Sequence, residues 1–372
     1  MHGRRVWGRS VVIVAIACGF VAGLMPAPGG ADPFGQVTEI PVTTASSSPD
    51  HIVAGPDGAM WFTENANQIG RITLGGTITE FGPTAANPEE IVVGPDGNLW
   101  FTSGDTEGNG AIGRITPAGV ITEFGTSTIT FIPEGLALGP DKMLWFTEHT
   151  DSGEGLIGRI DPLAVDPNTT IVEFPIGASG TNAHPNGITA GSDGNMWFTR
   201  DTTDLPNGVT KVSRILTASP NTITEFALTD GSNPEGITSG PDGNLWFVES
   251  FNSGTPRIGR MDPRAVDPAT TLTEFTAGLT NHASPDGIAS GCDGNLWFTE
   301  DAGAGGAPPA IGRITLAGVI TEYPVPTAGS FPAGISASVP GDPNMWFGEA
   351  DANNIGRISA CPAPVLVARF TG

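Results

Sequence analysis

Carboxylate side chains recur at one position of a motif that the chain repeats, Pro-x-Gly-Ile and its close variants. At the x position the seven copies carry Asp50, Glu89, Glu134, Asn186, Glu235, Asp286 and Ala333. If the copies close into a ring, equivalent positions converge, and five carboxylates then surround one opening. Such a ring could bind a divalent cation or a cationic ligand, and an acid whose pKa is raised there could act as a general base. Alternatively, each acid only caps its own turn and faces bulk water.

Further candidate ligands flank the same opening. Glutamates end a Trp-containing segment in five copies, at Glu64, Glu148, Glu249, Glu300 and Glu349, whereas Ser103 and Arg200 interrupt the series. The predicted ligands of a divalent cation are Glu235, Asp286, Glu300 and Glu349, because hard cations prefer carboxylate oxygens. His184 and His282 are predicted to join the ligand-binding set, and His51 could reach the same opening; each could equally be an ordinary surface histidine. The predicted partner is a small molecule or peptide.

The sequence motifs of several other catalytic and metal-binding sites are absent. The sequence contains no Ser/His/Asp nucleophile motif, no Gly-rich phosphate-binding loop, no metalloprotease helix motif and no Cys/His spacing typical of zinc.

The elements that must position these residues are repeats marked by tryptophan. Trp61, Trp100, Trp145, Trp197, Trp246, Trp297 and Trp346 follow one another at intervals of 39 to 52 residues. Each Trp lies in a β-rich run that follows a Pro-Asp-Gly-Asn type of turn, which predicts a hairpin. A period of this length is typical of one propeller blade or one solenoid turn.

A second hairpin follows in each unit, formed by Ile-Gly-Arg-Ile and Ile-Thr-Glu-Phe or close relatives. Four strands per unit without a helical pattern predict an all-β fold, a seven-bladed β-propeller of four-stranded blades. A two-residue turn at Gly75-Gly76 would set Arg71 opposite Glu80 across the ladder, as a structural ion pair.

Strand counting predicts how the ring closes. The last unit lacks its fourth strand, and a matching segment, residues 36–40, lies at the front of the chain. The N-terminal strand is therefore predicted to close the last blade, with Arg357 opposite Glu39, although the apolar tail 364–370 competes for that place.

The N-terminal residues predict that the protein is exported from the cell. Three arginines precede an apolar run and a small-residue segment, the layout of a signal peptide covering residues 1–31. A membrane anchor or a lipoprotein modified at Cys18 are the alternatives. The propeller then spans residues 32–372, and the protein is expected to be secreted and monomeric.

The net negative charge of the chain argues against two classes of binding partner. Loss of the leader removes three cations and no anion, so the formal charge goes from −23 to −26. Nucleic acids and anionic membranes bind through Lys and Arg, so neither is an expected partner. Of the two remaining cysteines, Cys292 and Cys361, the sequence says only that they could pair in an oxidising compartment.

The repeats resemble a known family. Gly-Pro-Asp-Gly-Asn-Leu-Trp-Phe-Thr-Glu followed by Ile-Gly-Arg-Ile and Ile-Thr-Glu-Phe is similar to the virginiamycin B lyase (streptogramin lyase) family over residues 36–358. The resemblance implies a seven-bladed propeller and a magnesium-dependent elimination that opens cyclic depsipeptides across an ester C–O bond.

The resemblance also implies site residues. Family members carry Tyr in the first unit where this chain has Asp50, and His in the sixth and seventh units where it has Asp286 and Ala333. The family glutamate that ends the last Trp strand corresponds to Glu349. Asp286 and Glu349 are therefore the predicted catalytic residues, and the alternative function is a non-catalytic extracellular propeller that binds a cation, peptide or glycan.

Overall fold

Seven four-stranded antiparallel sheets form a closed ring in the computed structural model of this chain. The structure describes residues 34–105, 110–125, 132–149, 154–177, 183–201, 210–228, 232–250, 256–281, 283–302 and 306–361. The innermost strands contact one another in an unbroken circle, in which the last blade meets the first. The predicted seven-bladed β-propeller is confirmed. The proposed leader, residues 1–31, lies outside the described residues.

Each blade contains an innermost, a second, a third and an outermost strand, counted from the centre of the ring outward. The innermost strands are β2 (Pro49–Ala54), β6 (Asn87–Val93), β10 (Ile132–Leu138), β14 (His184–Ala190), β18 (Asn233–Ser239), β22 (Ser284–Ser290) and β26 (Pro332–Ala337). The second strands, which carry the Trp, are β3 (Met60–Glu64), β7 (Leu99–Gly104), β11 (Leu144–His149), β15 (Met196–Asp201), β19 (Leu245–Ser250), β23 (Leu296–Asp301) and β27 (Asn344–Glu349). The third strands are β4 (Gln68–Ile72), β8 (Ala111–Ile115), β12 (Gly155–Ile160), β16 (Lys211–Ile215), β20 (Arg257–Met261), β24 (Ala310–Ile314) and β28 (Asn354–Ser359). The outermost strands are β5 (Ile78–Phe81), β9 (Ile121–Phe124), β13 (Val172–Pro175), β17 (Ile223–Ala227), β21 (Thr273–Phe275), β25 (Ile320–Pro324) and β1 (Val37–Pro41).

The core lies between blades, where each Trp is fully buried against the next blade. Trp346 of the last blade, for example, packs with Met60 and Phe62 of the first. The turn before each Trp strand orients the indole: the Asp of the turn accepts a hydrogen bond from Nε1, at 2.9 Å between Asp57 and Trp61. All seven turns make this bond.

The arginine of each third strand belongs to this Trp layer. In all seven blades its guanidinium lies over the Trp ring, 5.2 to 5.9 Å from the ring centroid. In the first blade Arg71 Nε also donates to Asp57 Oδ2 at 2.6 Å. The arginines are therefore structural, held by a cation–π contact and, in places, by the turn Asp.

The predicted Arg71–Glu80 pair is wrong by one residue. Arg71 lies opposite Thr79, and Glu80 lies opposite Gly70. The turn contains three residues, because Thr73 pairs with Thr77 while Gly76 adopts a φ of +87°. A tight turn followed by a left-handed Gly is a common three-residue hairpin loop, and one extra residue moves every side chain to the other face.

The ring closes in the way that the number of strands in the sequence predicted. β1 pairs antiparallel with β28, so the N-terminal strand completes the seventh blade as predicted. The same one-residue shift applies here: Arg357 lies opposite Thr38 and Glu39 opposite Gly356, so the predicted Arg357–Glu39 pair is also wrong. The competing tail, 364–370, lies outside the described residues.

Two further features complete the architecture. The long turns of the third and fifth blades contain short 3-10 helices, η1 (Pro167–Thr170) and η2 (Pro268–Thr271), and the Asp267 side chain caps η2 by accepting from Ala269 N. Cys292 and Cys361 form a disulfide, with their Cα atoms 5.9 Å apart. Within the described residues, no helix has the length and apolar character needed to cross a bilayer.

The Gly of Ile-Gly-Arg-Ile gives a first testable prediction. A Cβ at Gly70 would lie 2.1 Å from Phe62 Cζ and 2.6 Å from Glu64 Oε1, far closer than non-bonded atoms approach. Gly70→Ala is therefore expected to lower the free energy of unfolding by about 3 kcal/mol through overpacking. Gly75→Ala is the matched control, because a Cβ there has no neighbour closer than 3.8 Å. Equal urea midpoints for the two variants would contradict this packing.

Candidate functional site

The candidate site lies where the innermost strands begin. In every blade the pairing of the innermost strand with the Trp strand shifts register between the Pro of Pro-x-Gly-Ile and its last residue, which is Leu136 in the third blade and Ile in the others. Pro cannot donate to the ladder, and a bulge of this kind re-aims the side chains of the residues it contains. The x residues therefore sit at seven equivalent bulges around one end of the ring, here called the acidic mouth (Asp50, Glu89, Glu134, Glu235 and Asp286).

Neighbouring bulges approach each other closely. In the third to sixth blades, a Cβ on the Gly after x would lie 2.5 to 3.0 Å from the carbonyl oxygen of the next blade's x residue. Gly is therefore required by the close approach of one backbone to the next. The first and second blades differ, because His51 and Glu90 occupy this position.

Threonine hydroxyls fix the bulges to one another. Thr147 Oγ1 accepts from Gly135 N at 2.8 Å in its own blade and donates to Asn186 O of the next blade at 2.7 Å. The second and fourth blades repeat the arrangement. The acids of the mouth are thus carried on a rigid frame.

His51 brings carboxylates of three blades together. Its Nδ1 lies 3.3 Å from Asp50 Oδ1, and its Nε2 lies 3.6 Å from Glu90 Oε2 of the second blade. Burial alone would lower the pKa of His51, but Glu90, Asp50 and Asp286 of the sixth blade together raise it well above its usual value. Burial also raises the pKa of Glu90, with the His51 charge opposing that rise. These carboxylates therefore favour the imidazolium form of His51 over the neutral ring.

A second cluster lies between the third and fourth blades. His149 Nε2 is 3.0 Å from Glu134 Oε1, and the His149 and His184 rings pack with centroids 4.7 Å apart. The predicted ligands Glu134 and His184 are thus brought together through His149. His149 is the last residue of β11, and only its place one residue beyond Glu148 hinted at a position near the mouth.

The other predicted ligands are distributed around the mouth. Glu89 is buried, Glu235 is half-buried, and Asn186 Nδ2 donates to Pro234 O at 3.0 Å in the next blade. His282 lies outside the described residues. The sequence did not predict the part that His51 and Glu90 play at the mouth. Both could have been noticed, because each stands where the other copies of the repeat have Gly.

The glutamates of the Trp strands lie opposite the Pro that precedes x, but their carboxyl groups face the outermost strand. Glu300 and Glu349 are completely buried, and each meets a Glu of the outermost strand of its own blade, Glu322 and Glu39 respectively. Burial, followed by the nearby carboxyl group, raises the pKa of Glu300 to about 9 and that of Glu349 to about 8.

These positions do not fit one magnesium ion held by Glu235, Asp286, Glu300 and Glu349. In the part of the chain that the structure describes, no group of three or more His, Cys, Asp or Glu side chains is arranged to hold a metal. Glu300 and Glu349 instead face their own outermost strands, with raised pKa values that favour the neutral acid. Magnesium stays a prediction.

Comparison with known proteins places the chain in a family. The model of the virginiamycin B lyase family matches residues 29–217 and 164–363. This chain belongs to the virginiamycin B lyase family. The virginiamycin B lyase of Nocardia farcinica is 32% identical over 108 residues, a match that spans 26% of this chain and 36% of that protein.

Solved structures of the virginiamycin B lyase family superpose over most of the chain. The enzyme from Staphylococcus aureus has 33% identity and a TM-score of 0.71, over 87% of this chain and 99% of that one. A streptogramin B lyase has 30% identity and a TM-score of 0.69, over 87% and 96% of the two chains. A catalytically inactive variant of the S. aureus enzyme, with one histidine replaced by alanine, was solved with quinupristin.

The positions aligned with the family's site have a different composition here. Ala333 is buried and stands where the resemblance implies a histidine. The His51 ring packs directly against the next residue, because a Cβ at Gly334 would lie 2.7 Å from His51 Cδ2. The mouth thus retains an imidazole beside Ala333, supplied by the neighbouring blade.

Proposed function

We propose that this protein is an exported member of the virginiamycin B lyase family that binds a cationic small molecule or peptide at its acidic mouth. The observation that carries the proposal is the surroundings of His51. Carboxylates of three blades converge on this half-buried imidazole and favour its charged form despite burial. A site that stabilises one buried cation provides the field that attracts another.

The charge of the whole chain supports the same ligand class. The formal charge of −23 would slow the approach of anionic ligands and speed that of cationic ones. The bulges that carry Asp50 and Asp286 are held by neighbouring strands, so a ligand would meet carboxylates that are already positioned.

Carbon–oxygen lyase activity is the second candidate, favoured by the imidazole beside Ala333. Elimination next to an ester carbonyl requires a base to remove a carbon-bound proton and an acid to stabilise the oxygen charge that develops. Here Asp286 would accept the proton, the C–H electrons would form a C=C bond, and the C–O bond would break with its electrons on the leaving carboxylate. The His51 imidazolium would donate a hydrogen bond to the developing oxygen charge.

Binding at the mouth is tested by calorimetry with a short lysine-containing peptide and the same peptide with glutamate. We expect the lysine peptide alone to bind, with affinity that falls as salt is added. Asp50→Asn and Asp286→Asn should each weaken binding about fivefold. Asp267→Asn is the matched control, because it removes one charge at the opposite end of a blade and keeps a capping side chain. Equal binding of both peptides would overturn the proposal.

The lyase candidate is tested with quinupristin and chromatography coupled to mass spectrometry. Elimination gives a ring-opened product of unchanged mass, hydrolysis adds one water, and a binding protein returns the ligand intact. If the protein is a lyase, Asp286→Asn and His51→Gln should abolish turnover while Asp267→Asn leaves it unchanged. Absence of product at high protein concentration would eliminate streptogramin cleavage and leave the binding function standing.

A further inference from the structure

One large apolar side chain of the described chain is exposed at the acidic mouth. Phe331 immediately precedes the Pro of the seventh copy of Pro-x-Gly-Ile and has 38% of its surface exposed. The other large apolar residues that are exposed lie at the opposite ends of the strands: Phe34, Val120, Leu138, Leu163, Val165, Val172, Val266 and Val319. An exposed aromatic ring at the edge of a binding site is a candidate contact for the ligand.

The loop that carries Phe331 does not require an aromatic residue. The first blade has the same loop with Ser48 in this place, and φ is +49° at Ser48 and +51° at Phe331. The backbone contacts also match, because Ser48 O accepts from Asn65 N at 3.3 Å and Phe331 O accepts from Ala350 N at 3.0 Å. A bulky residue is rare in the left-handed region. The fold therefore gives no reason for the ring, and a strained residue of this kind points to a function.

The neighbours of this position follow from two other blade interfaces. There, the residue that ends a Trp strand contacts the residue that precedes the Pro of the next blade. His149 and His184 do so between the third and fourth blades, with ring centroids 4.7 Å apart. Between the second and third blades, a Cβ at Gly104 would lie 3.0 Å from Ile132 Cγ2.

Two aspartates flank Phe331. In the sixth and seventh blades, the two contacting positions are occupied by Asp301 and Phe331, so repeat symmetry sets the Asp301 side chain beside the ring. Asp351 N donates to Ser330 O at 3.1 Å, and Asp351 is exposed. The ring thus has one aspartate on the preceding blade and another on its own blade.

The protein already holds a guanidinium group with this combination of side chains. Arg313 lies 5.7 Å from the centroid of the Phe34 ring, and its Nε donates to Asp293 Oδ2 at 2.6 Å. A guanidinium group stacks on aromatic faces and donates several hydrogen bonds to carboxylates, whereas the ammonium group of lysine is compact and strongly hydrated. An aromatic ring between two aspartates therefore favours guanidinium over ammonium.

We propose that Phe331, Asp301 and Asp351 form a subsite of the acidic mouth that binds the guanidinium group of an arginine side chain in a peptide. The inference rests on the proposed function and narrows its ligand from a cation to an arginine-containing peptide. The guanidinium group stacks on the ring and donates hydrogen bonds to the two carboxylates. The subsite is continuous with the surroundings of His51, whose ring packs against Gly334, so an extended peptide can contact both.

The test compares, by calorimetry, a short lysine-containing peptide with the same peptide carrying arginine. The arginine peptide should bind about threefold to fivefold more tightly, the contribution of a cation–π contact at a partly exposed site. Phe331→Ser copies the loop of the first blade and should reduce the ratio of the two affinities to about one. Leu138→Ser is the matched control and should keep the preference, because Leu138 is also 38% exposed but lies at the opposite end of an innermost strand.

A second measurement uses the unmodified protein and does not depend on any variant. A citrulline peptide keeps the planar side chain and loses the positive charge, so it should bind more than tenfold more weakly than the arginine peptide. Equal binding of the two would overturn the proposal. Asp351→Asn should weaken arginine binding about threefold, whereas Asp267→Asn, with the same change of charge, should leave it unchanged.

The outcomes separate this inference from the proposed function. Equal affinity for the arginine and lysine peptides, both above that of the glutamate peptide, would overturn the guanidinium subsite alone. An arginine preference that survives Phe331→Ser would overturn the role of Phe331. Failure of both cationic peptides to bind would overturn the proposed function and the subsite together.

Discussion

Removal of strand β1 is expected to lower the free energy of unfolding by roughly 5 kcal/mol, and the melting temperature by roughly 10 °C. β1 covers the exposed edge of β28 along five paired residues. The flanking backbone adds hydrogen bonds from Gly35 N to Ser359 O at 2.8 Å and from Val42 N to Asn353 O at 2.9 Å. Glu39 also holds the loop at Thr327, so its removal releases the entry to the seventh blade.

The measurement compares the chain that starts at residue 32 with one that starts at Val42. The shortened protein should also aggregate, because an unpaired strand edge templates further pairing. A synthetic peptide of residues 34–43, added in excess, should restore much of the lost stability by strand addition. A chain that ends at Cys361 is the control for shortening alone. An unchanged melting temperature without β1 would show that the ring does not depend on this closure.

Reduction of the Cys292–Cys361 disulfide is expected to cost about 4 kcal/mol of stability. The bridge links residues 69 positions apart, and closing a loop of that length removes substantial conformational freedom from the unfolded chain. It joins the turn before the Trp strand of the sixth blade to the second residue after β28, where Cys361 N donates to Pro343 O at 2.9 Å. The bridge thus ties together the two blades that precede the point of closure.

Urea unfolding with and without a thiol reductant measures this contribution. The double variant Cys292→Ser, Cys361→Ser should match the reduced protein, and reductant should not destabilise it further. If the reductant lowered the stability of the double variant, the loss of stability would not come from this disulfide. Equal unfolding free energies for oxidised and reduced protein would show that the bridge does not limit the unfolded chain.

The sequence alone determined the architecture of this protein. The interval between tryptophans, the Pro-Asp-Gly-Asn turns and the four β-rich segments per unit act locally and in every copy, so seven copies reinforce one prediction. Ring closure also followed from the sequence, because residues 36–40 match the strand that the last unit lacks. The position of the acids at one end of the ring followed from the repeat, since equivalent residues occupy equivalent places.

The tertiary structure decided the register and the destination of each side chain. A three-residue loop ending in a left-handed Gly76, instead of a two-residue turn, moved Arg71 away from Glu80. The two choices differ by one residue in a segment with two adjacent glycines, and the local sequence does not distinguish them. The same shift separated Arg357 from Glu39.

Contacts between blades likewise depend on the tertiary structure and could not be predicted from the local sequence. His51 meets Asp286 because the ring brings the first and sixth blades to one mouth, and no local pattern encodes that distance. Glu349 points into its own blade because Gly356 of the third strand leaves room above it. A strand pattern shows that a residue alternates between two faces, but whether a face meets solvent or a second carboxyl group depends on what packs against it.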